Sequence, residues 1–178
     1  MDNKEINHIS TIEIKAKCTN QEKIREILKL HNADFKGVDH QVDTYFKVNN
    51  GRLKLREGNI ENYLIFYERE NVEGPKQSKA LFYKNDPSSN LKDLLTKSIG
   101  ILTIVDKQRE IYFIKNIKFH LDNVQNLGTF IEVEVRDTVG DVKKEKLLQQ
   151  CNFYLELLGI KETDFLENSY SDQILNSL

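Results

Sequence analysis

An α+β protein built on a closed or strongly curved antiparallel sheet is the fold class this sequence predicts. Three observations predict it. Seven to nine short segments alternate apolar and polar residues with a period of two. Most are joined by connections too short for parallel crossovers. Only about three stretches carry helical periodicity.

Residues 9–17 read as the first strand, with Ile12, Ile14 and Ala16 alternating with Glu13, Lys15 and Lys17. Thr19 to Glu22 has the form of a capping box. It predicts a helix with Ile24, Ile27, Leu28 and Leu30 on one stripe, ending near His31 and Asn32. Gln41 to Val48 is rich in aromatic and β-branched residues and reads as a strand. Asn49-Asn50-Gly51 is a hairpin turn, and Arg52 to Glu57 returns as the next strand. Tyr63 to Glu70 follows after a turn at Gly58-Asn59, then a loop over 71–75 and a strand over Gln77 to Lys84. Asp86-Pro87-Ser88 opens a second helix with Leu91, Leu94 and Leu95 expected inside. Strands are expected at Ile101–Asp106, Gln108–Lys115, Ile117–Asp122 and Gly128–Arg136. Val139 to Leu158 reads as a long helix closed by Gly159. Residues 159–178 are a short tail with helical potential, and the whole of 1–178 reads as one domain.

Composition narrows the function classes. The 178 residues carry 26 Lys+Arg and 28 Asp+Glu, a formal net charge of −2. That balance excludes a protein that coats nucleic acid through a basic surface. No run approaches the length of apolar chain that spans a bilayer, and the polar start lacks a signal-peptide core. Cys18 and Cys151 make no disulfide framework, so a reduced, cytoplasmic setting is expected. The four histidines are scattered without zinc-ligand spacing.

Charge within the strands is more informative than the total. Arg52, Lys54 and Arg56 share one face of a strand whose other face carries Leu53 and Leu55. Glu132 and Glu134 share a face of the last strand, Glu13, Lys15 and Lys17 a face of the first. Lys107 and Arg109 stand two apart, as do Lys118, His120 and Asp122. A single charged face is ordinarily the solvated side of a sheet. Like charges at i and i+2 repel, however, and several such strands occur in one small sheet. Five of the six arginines fall on expected strands, and the guanidinium fork suits bidentate phosphate binding. If the sheet closes with these faces inward, its interior is a polar tunnel. Its cations match a polyphosphate and its carboxylates a hard divalent ion. The loop that cradles phosphates in P-loop enzymes is absent from the sequence.

These residues also carry a resemblance. The segments are Thr-Ile-Glu-Ile-Lys-Ala at 11–16, Gln-Val-Asp-Thr-Tyr-Phe at 41–46 and Gly-Arg-Leu-Lys-Leu-Arg-Glu at 51–57. Tyr-Glu-Arg at 67–69, Gly-Pro-Lys-Gln-Ser at 74–78 and Asp-Lys-Gln-Arg at 106–109 continue the series. The run from His120 to Glu134 is the most specific. In this order they resemble the CYTH superfamily, the triphosphate tunnel metalloenzymes, and are most similar to its class IV adenylyl cyclase branch.

The resemblance implies a closed eight-stranded antiparallel β-barrel with helices packed outside. It implies a triphosphate substrate, either ATP or inorganic or thiamine triphosphate, with Mg²⁺ or Mn²⁺ as cofactor. Lys15, Arg52, Lys54, Arg56, Arg69, Lys107 and Arg109 are then the phosphate-binding cations, joined by Lys76 and Lys118. Glu13, Glu132 and Glu134 are the implied metal ligands. Asp122 is a further tunnel acid that, with Lys15, takes part in catalysis. Thr11 stands where the family's first motif has a glutamate, which removes one acid from the metal cluster. Three activities fit: cyclisation of ATP to cyclic AMP and pyrophosphate, hydrolysis of a triphosphate, or binding without turnover. The cyclase branch further implies a homodimer.

Overall fold

In a computed structural model, the structure describes residues 9–69, 74–137 and 142–177, apart from the side chains of Ile9, Ser10 and Arg69. Eight strands form one closed antiparallel barrel. They are β1 (Ile9–Lys17), β2 (Asp34–Phe46), β3 (Arg52–Glu57), β4 (Tyr63–Arg69), β5 (Lys76–Lys84), β6 (Ile101–Ile114), β7 (Ile117–Val124) and β8 (Gly128–Arg136). Around the barrel the order is β1-β5-β4-β3-β2-β6-β7-β8, closed by pairing of β8 with β1. Four α-helices are described: α1 (Gln21–Leu30), α2 (Leu91–Ile99), α3 (Lys144–Leu158) and α4 (Tyr170–Asn176). One 3-10 turn lies at Glu162–Asp164.

The barrel is polar inside and apolar outside. Ile12, Ile14, Phe119, Leu121, Ile131, Val133 and Val135 point outward and are buried against helices. α1 covers them with Ile24 and Leu28, and α3 with Leu147, Cys151, Leu155 and Leu158. Each buried aliphatic side chain contributes about 1.5–3 kcal/mol, so the fold is held chiefly by this outer layer. The alternate residues of the same strands must then face the lumen. Toward one end the inward residues become apolar: Tyr45, Ile65, Tyr67, Val105, Val124 and Phe130 form a second cluster that α4 closes with Tyr170.

Several boundaries differ from the sequence expectations. α1 is capped by Asn20, whose side chain accepts from Lys23 N at 3.1 Å, so the capping box at Thr19 does not form. β2 starts at Asp34, well before Gln41, because β6 supplies backbone partners along its whole length past an irregularity at Gly37. The strands expected at 101–106 and 108–115 are one strand, kept continuous by pairing with β2 and β7. α2 begins at Leu91 and buries none of its residues, Leu94 being 62% exposed. α3 begins at Lys144, and residues 138–141 of the expected helix lie outside the described residues.

Candidate active site in the barrel lumen

The lumen holds a cavity of about 300 Å³. Glu13, Lys15, Lys54, Arg56, Lys107, Arg109, Lys118, Glu132 and Glu134 all line it. Strand pleating puts them there, since they occupy alternate, inward positions on their strands. Three other expected site residues do not line the cavity. Arg52 donates to Asp172 Oδ2 of α4 at 3.0 Å. Lys76 donates to the backbone carbonyls of Leu166, at 2.8 Å, and Glu167. Asp122 is fully buried behind Arg109. The side chain of Arg69 lies outside the description.

The cations do not stand alone. Asp43 on β2 accepts from Arg56 Nε at 2.8 Å, Arg56 Nη2 at 3.0 Å, Lys54 at 3.0 Å and Lys107 at 2.8 Å. Burial opposes ionisation of Asp43, but Arg56, Lys107 and Lys54 outweigh it and hold the carboxyl well below its usual range. Burial acts on Lys107 as well. Helped by Arg56, Arg109 and Lys54 and opposed by Asp43, it lowers the ammonium to about 7. Arg109 forks onto Asp122 at 2.6 and 2.5 Å and reaches Glu132 at 2.9 Å. Against its burial, Arg109 holds Asp122 down at about 2. Tyr170 donates to the same carboxylate at 2.8 Å, and Lys15 Nζ lies 4.3 Å from the Tyr170 ring centre.

His120 is one of the buried lumen groups that period and spacing did not single out as a ligand. Burial, then Arg109 and Lys118, lower its imidazole to about 4, so the ring is neutral at pH 7. Its Nδ1 lies 3.0 Å from the ionised Glu132, which makes Nδ1 the protonated nitrogen. Asp43, Glu61, Arg136 and Tyr170 also line the cavity. Asp43 shares the parity of Gln41 and Tyr45 in a segment already quoted, so its inward direction was readable. Glu61 sits in a turn, where no period points anywhere.

A hard divalent ion needs oxygen donors, and magnesium binds through one or two carboxylates plus substrate phosphates rather than an all-protein cage. Among the described residues no three His, Cys, Asp or Glu side chains converge into such a cage. Glu13 and Glu134 are paired in the β1–β8 register and both line the cavity. That donor set fits an ion whose shell is completed by phosphate oxygens. Glu134 also accepts from Arg136 Nε at 2.6 Å. Glu132 is committed differently: Oε1 meets Lys15 at 3.0 Å, and Oε2 meets Arg109 at 2.9 Å and His120 at 3.0 Å. Thr11, buried at the cavity wall, brings a hydroxyl where the motif's glutamate would bring charge.

Comparison with known proteins agrees with this geometry. The family model described as the CYTH domain matches residues 10–170. A Methanocaldococcus jannaschii protein, named as a candidate adenylate cyclase, is 26% identical over 174 residues, covering 89% of this chain and 95% of the relative. A Pyrococcus horikoshii structure superposes with a TM-score of 0.72 at 23% identity, over 91% of this chain and 98% of that one. A Hippeastrum structure, described as a candidate adenylyl cyclase with a dominant triphosphatase activity, gives 0.62 at 13% identity, over 95% of each chain. Among the described residues no helix is long and apolar enough to cross a membrane.

Proposed function

Because the chain belongs to the CYTH domain family, we propose that it is a metal-dependent enzyme that takes a triphosphate into the barrel lumen. The observation that carries the reading is the cavity itself, where Lys15, Lys54, Arg56, Lys107, Arg109 and Lys118 converge from four strands. A polyanion recruits such cations by charge-assisted hydrogen bonds, stronger than those between neutral groups. Glu13 and Glu134 would hold Mg²⁺ or Mn²⁺, which supplies Lewis-acid neutralisation of phosphate charge when bound. The chain's own task is to orient the triphosphate and exclude bulk water.

The preferred activity is cyclisation of ATP. The ribose 3′-hydroxyl attacks the α-phosphorus, loses its proton, and pyrophosphate leaves as the α–β bridging bond breaks. Two features support a nucleotide. The relative at 26% identity carries an adenylate cyclase name. The cavity also has an aromatic and apolar wall of Tyr45, Tyr63, Ile65, Tyr67 and Phe82 beside the cations, suited to a planar organic group. Triphosphatase activity is the second reading, favoured by the activity described for the Hippeastrum protein. In that reading water attacks the terminal phosphorus and loses a proton, the bond to the bridging oxygen breaks, and orthophosphate and the diphosphate are released.

A product assay separates them. The purified protein is incubated with ATP, inorganic triphosphate or thiamine triphosphate, each with Mg²⁺ or Mn²⁺. Cyclic AMP with pyrophosphate is expected, and orthophosphate release would establish the hydrolase instead. Tight binding with no product from any of them would leave a nucleotide or polyphosphate sensor. Turnover in excess chelator would remove the metal from the reading.

A further inference from the structure

The turn between β3 and β4 is built around one carboxylate. Asp39, which is fully buried, accepts from Ile60 N at 2.8 Å, Glu61 N at 3.0 Å and Gln41 Nε2 at 2.7 Å. Asn62 clasps the turn from the other side. Its Nδ2 donates to Gly58 O at 2.8 Å, and its Oδ1 accepts from Gly58 N at 3.1 Å. A Cβ at Gly58 would stand 2.6 Å from Asp39 Oδ1, so glycine is what lets the carboxylate sit under the turn. This scaffold delivers the Glu61 side chain into the lumen, where it accepts from Arg56 Nη1 at 2.9 Å and from Lys118 Nζ.

Arg56 and Lys118 belong to β3 and β7, three places apart around the barrel. The ion pairs of Asp43, Asp122 and Glu132 join neighbouring or next-but-one strands and run along the wall. Glu61 instead links Arg56, next to its own turn, to Lys118 three strand positions away. It does so at the far end of β3 from Arg52, which α4 engages. Arg56 lies four strand positions beyond Arg52, about 13 Å of track.

We propose that Glu61 is a specificity-determining residue, a built-in anion that ends the phosphate-binding track and limits how many phosphoryl groups the lumen accepts. The proposal rests on the reading of the lumen as a polyphosphate site. A carboxylate already paired with Arg56 and Lys118 competes with a ligand for both cations, and it repels the next phosphoryl group along the track. A ligand that stops short can share the further N–H donors of Arg56 while Glu61 stays in place, whereas one unit more must displace Glu61.

The test is calorimetric titration of the full chain with inorganic tripolyphosphate and with linear tetrapolyphosphate. Wild type, Glu61→Gln, Glu61→Asp and, as a control on an exposed strand position, Glu68→Gln are compared, each checked for folding by circular dichroism. The quantity read is the ratio of the two affinities within one variant. Glu61→Gln is expected to raise the tetrapolyphosphate-to-tripolyphosphate ratio by about threefold or more. Glu61→Asp, with the carboxylate drawn back by one methylene, is expected to raise it less, and Glu68→Gln to leave it unchanged. Should the Gln variant not fold, the Asp variant decides by the sign of its change. An unchanged ratio in a folded variant overturns the proposal, even if both affinities shift together, because a merely structural role moves them alike. If wild type binds neither polyphosphate, the lumen reading itself fails and the proposal with it.

Discussion

Lys107 is the side chain on which burial and charge oppose each other most directly. It is 2% exposed, bonded to Asp43 at 2.8 Å, and lowered to about 7 with Arg56, Arg109 and Lys54 close by. A bound polyanion adds negative charge beside it and must raise its pKa. Triphosphate binding at pH 8 is therefore expected to take up protons. Titrations in buffers of different ionisation enthalpy measure this, and identical apparent enthalpies in all of them would contradict it. Arg56→Ala should weaken triphosphate binding by about 1.5–3 kcal/mol, the worth of a hydrogen bond to a charged group. Equilibrium binding reads that loss, and an unchanged affinity would place Arg56 outside the site. Glu132→Gln should abolish turnover with the fold intact, because Lys15, Arg109 and His120 would lose the charge that orders them. A wild-type rate in that variant would remove Glu132 from the machinery.

At the scale of elements, the C-terminal segment decides what the barrel is. Phe165 bridges to Ala16 of β1, and Leu166 N donates to Lys15 O at 2.9 Å. α4 then closes the apolar end with Tyr170, whose ring centre lies 4.9 Å from that of Phe130. Arg52 and Lys76, implied by the resemblance to bind phosphate, are engaged with this segment. The segment is thus anchored by the barrel's own cations, and the cavity it leaves is bounded on that side. Tyr170→Phe should cost about 1–3 kcal/mol in urea denaturation, since Asp122 loses a buried donor. A variant as stable as wild type would mean that water replaces the hydroxyl. In the β3–β4 turn, Gly58→Ala should cost a comparable amount, about 1–3 kcal/mol, through the forced shift of Asp39.

The whole molecule concentrates its charge pairs in one water-poor space, and this sets its response to pH. Asp122 is lowered to about 2, and Asp43, Glu61, Glu132 and Glu134 are lowered as well. Groups with depressed carboxyl pKa contribute stability that is complete above the unfolded value, about 4. That contribution is lost as pH falls toward their folded values. His120 has the same sign, because the folded state binds its proton less readily than the unfolded chain. Its contribution is present above 6.5 and fades as pH falls to about 4. Lys107, lowered from 10.5 to about 7, makes stability fall as pH falls over that range, and below it stability is expected to decline in two stages, from about pH 6.5 to 4 through His120 and below pH 4 through the carboxylates. Urea midpoints measured from pH 3 to 8 follow it, and a His120→Gln variant should lose the first stage alone.

Much of this protein was legible in its sequence. Period-two alternation located nearly every strand, and the ends of β1, β3 and β8 agree with expectation. The sorting of charge by face was visible in Arg52, Lys54 and Arg56 and in Glu132 and Glu134. Alternation has no sign, however: a strand with one charged and one apolar face is equally consistent with a solvated outside or a polar inside. Only the tertiary structure decided, because α1 and α3 cover the apolar faces of β1, β7 and β8 and barrel closure turns the charged faces to the lumen. The same limit hid the long-range pairs. Lys118 meets Glu61, which is 57 positions away, and Arg52 meets Asp172, which is 120 away. What the sequence by itself determined was the inventory of strands, faces and charges, since these depend on residues a few positions apart. Which charges meet, and which cations serve the C-terminal segment rather than the cavity, depends on barrel closure, which no local pattern encodes.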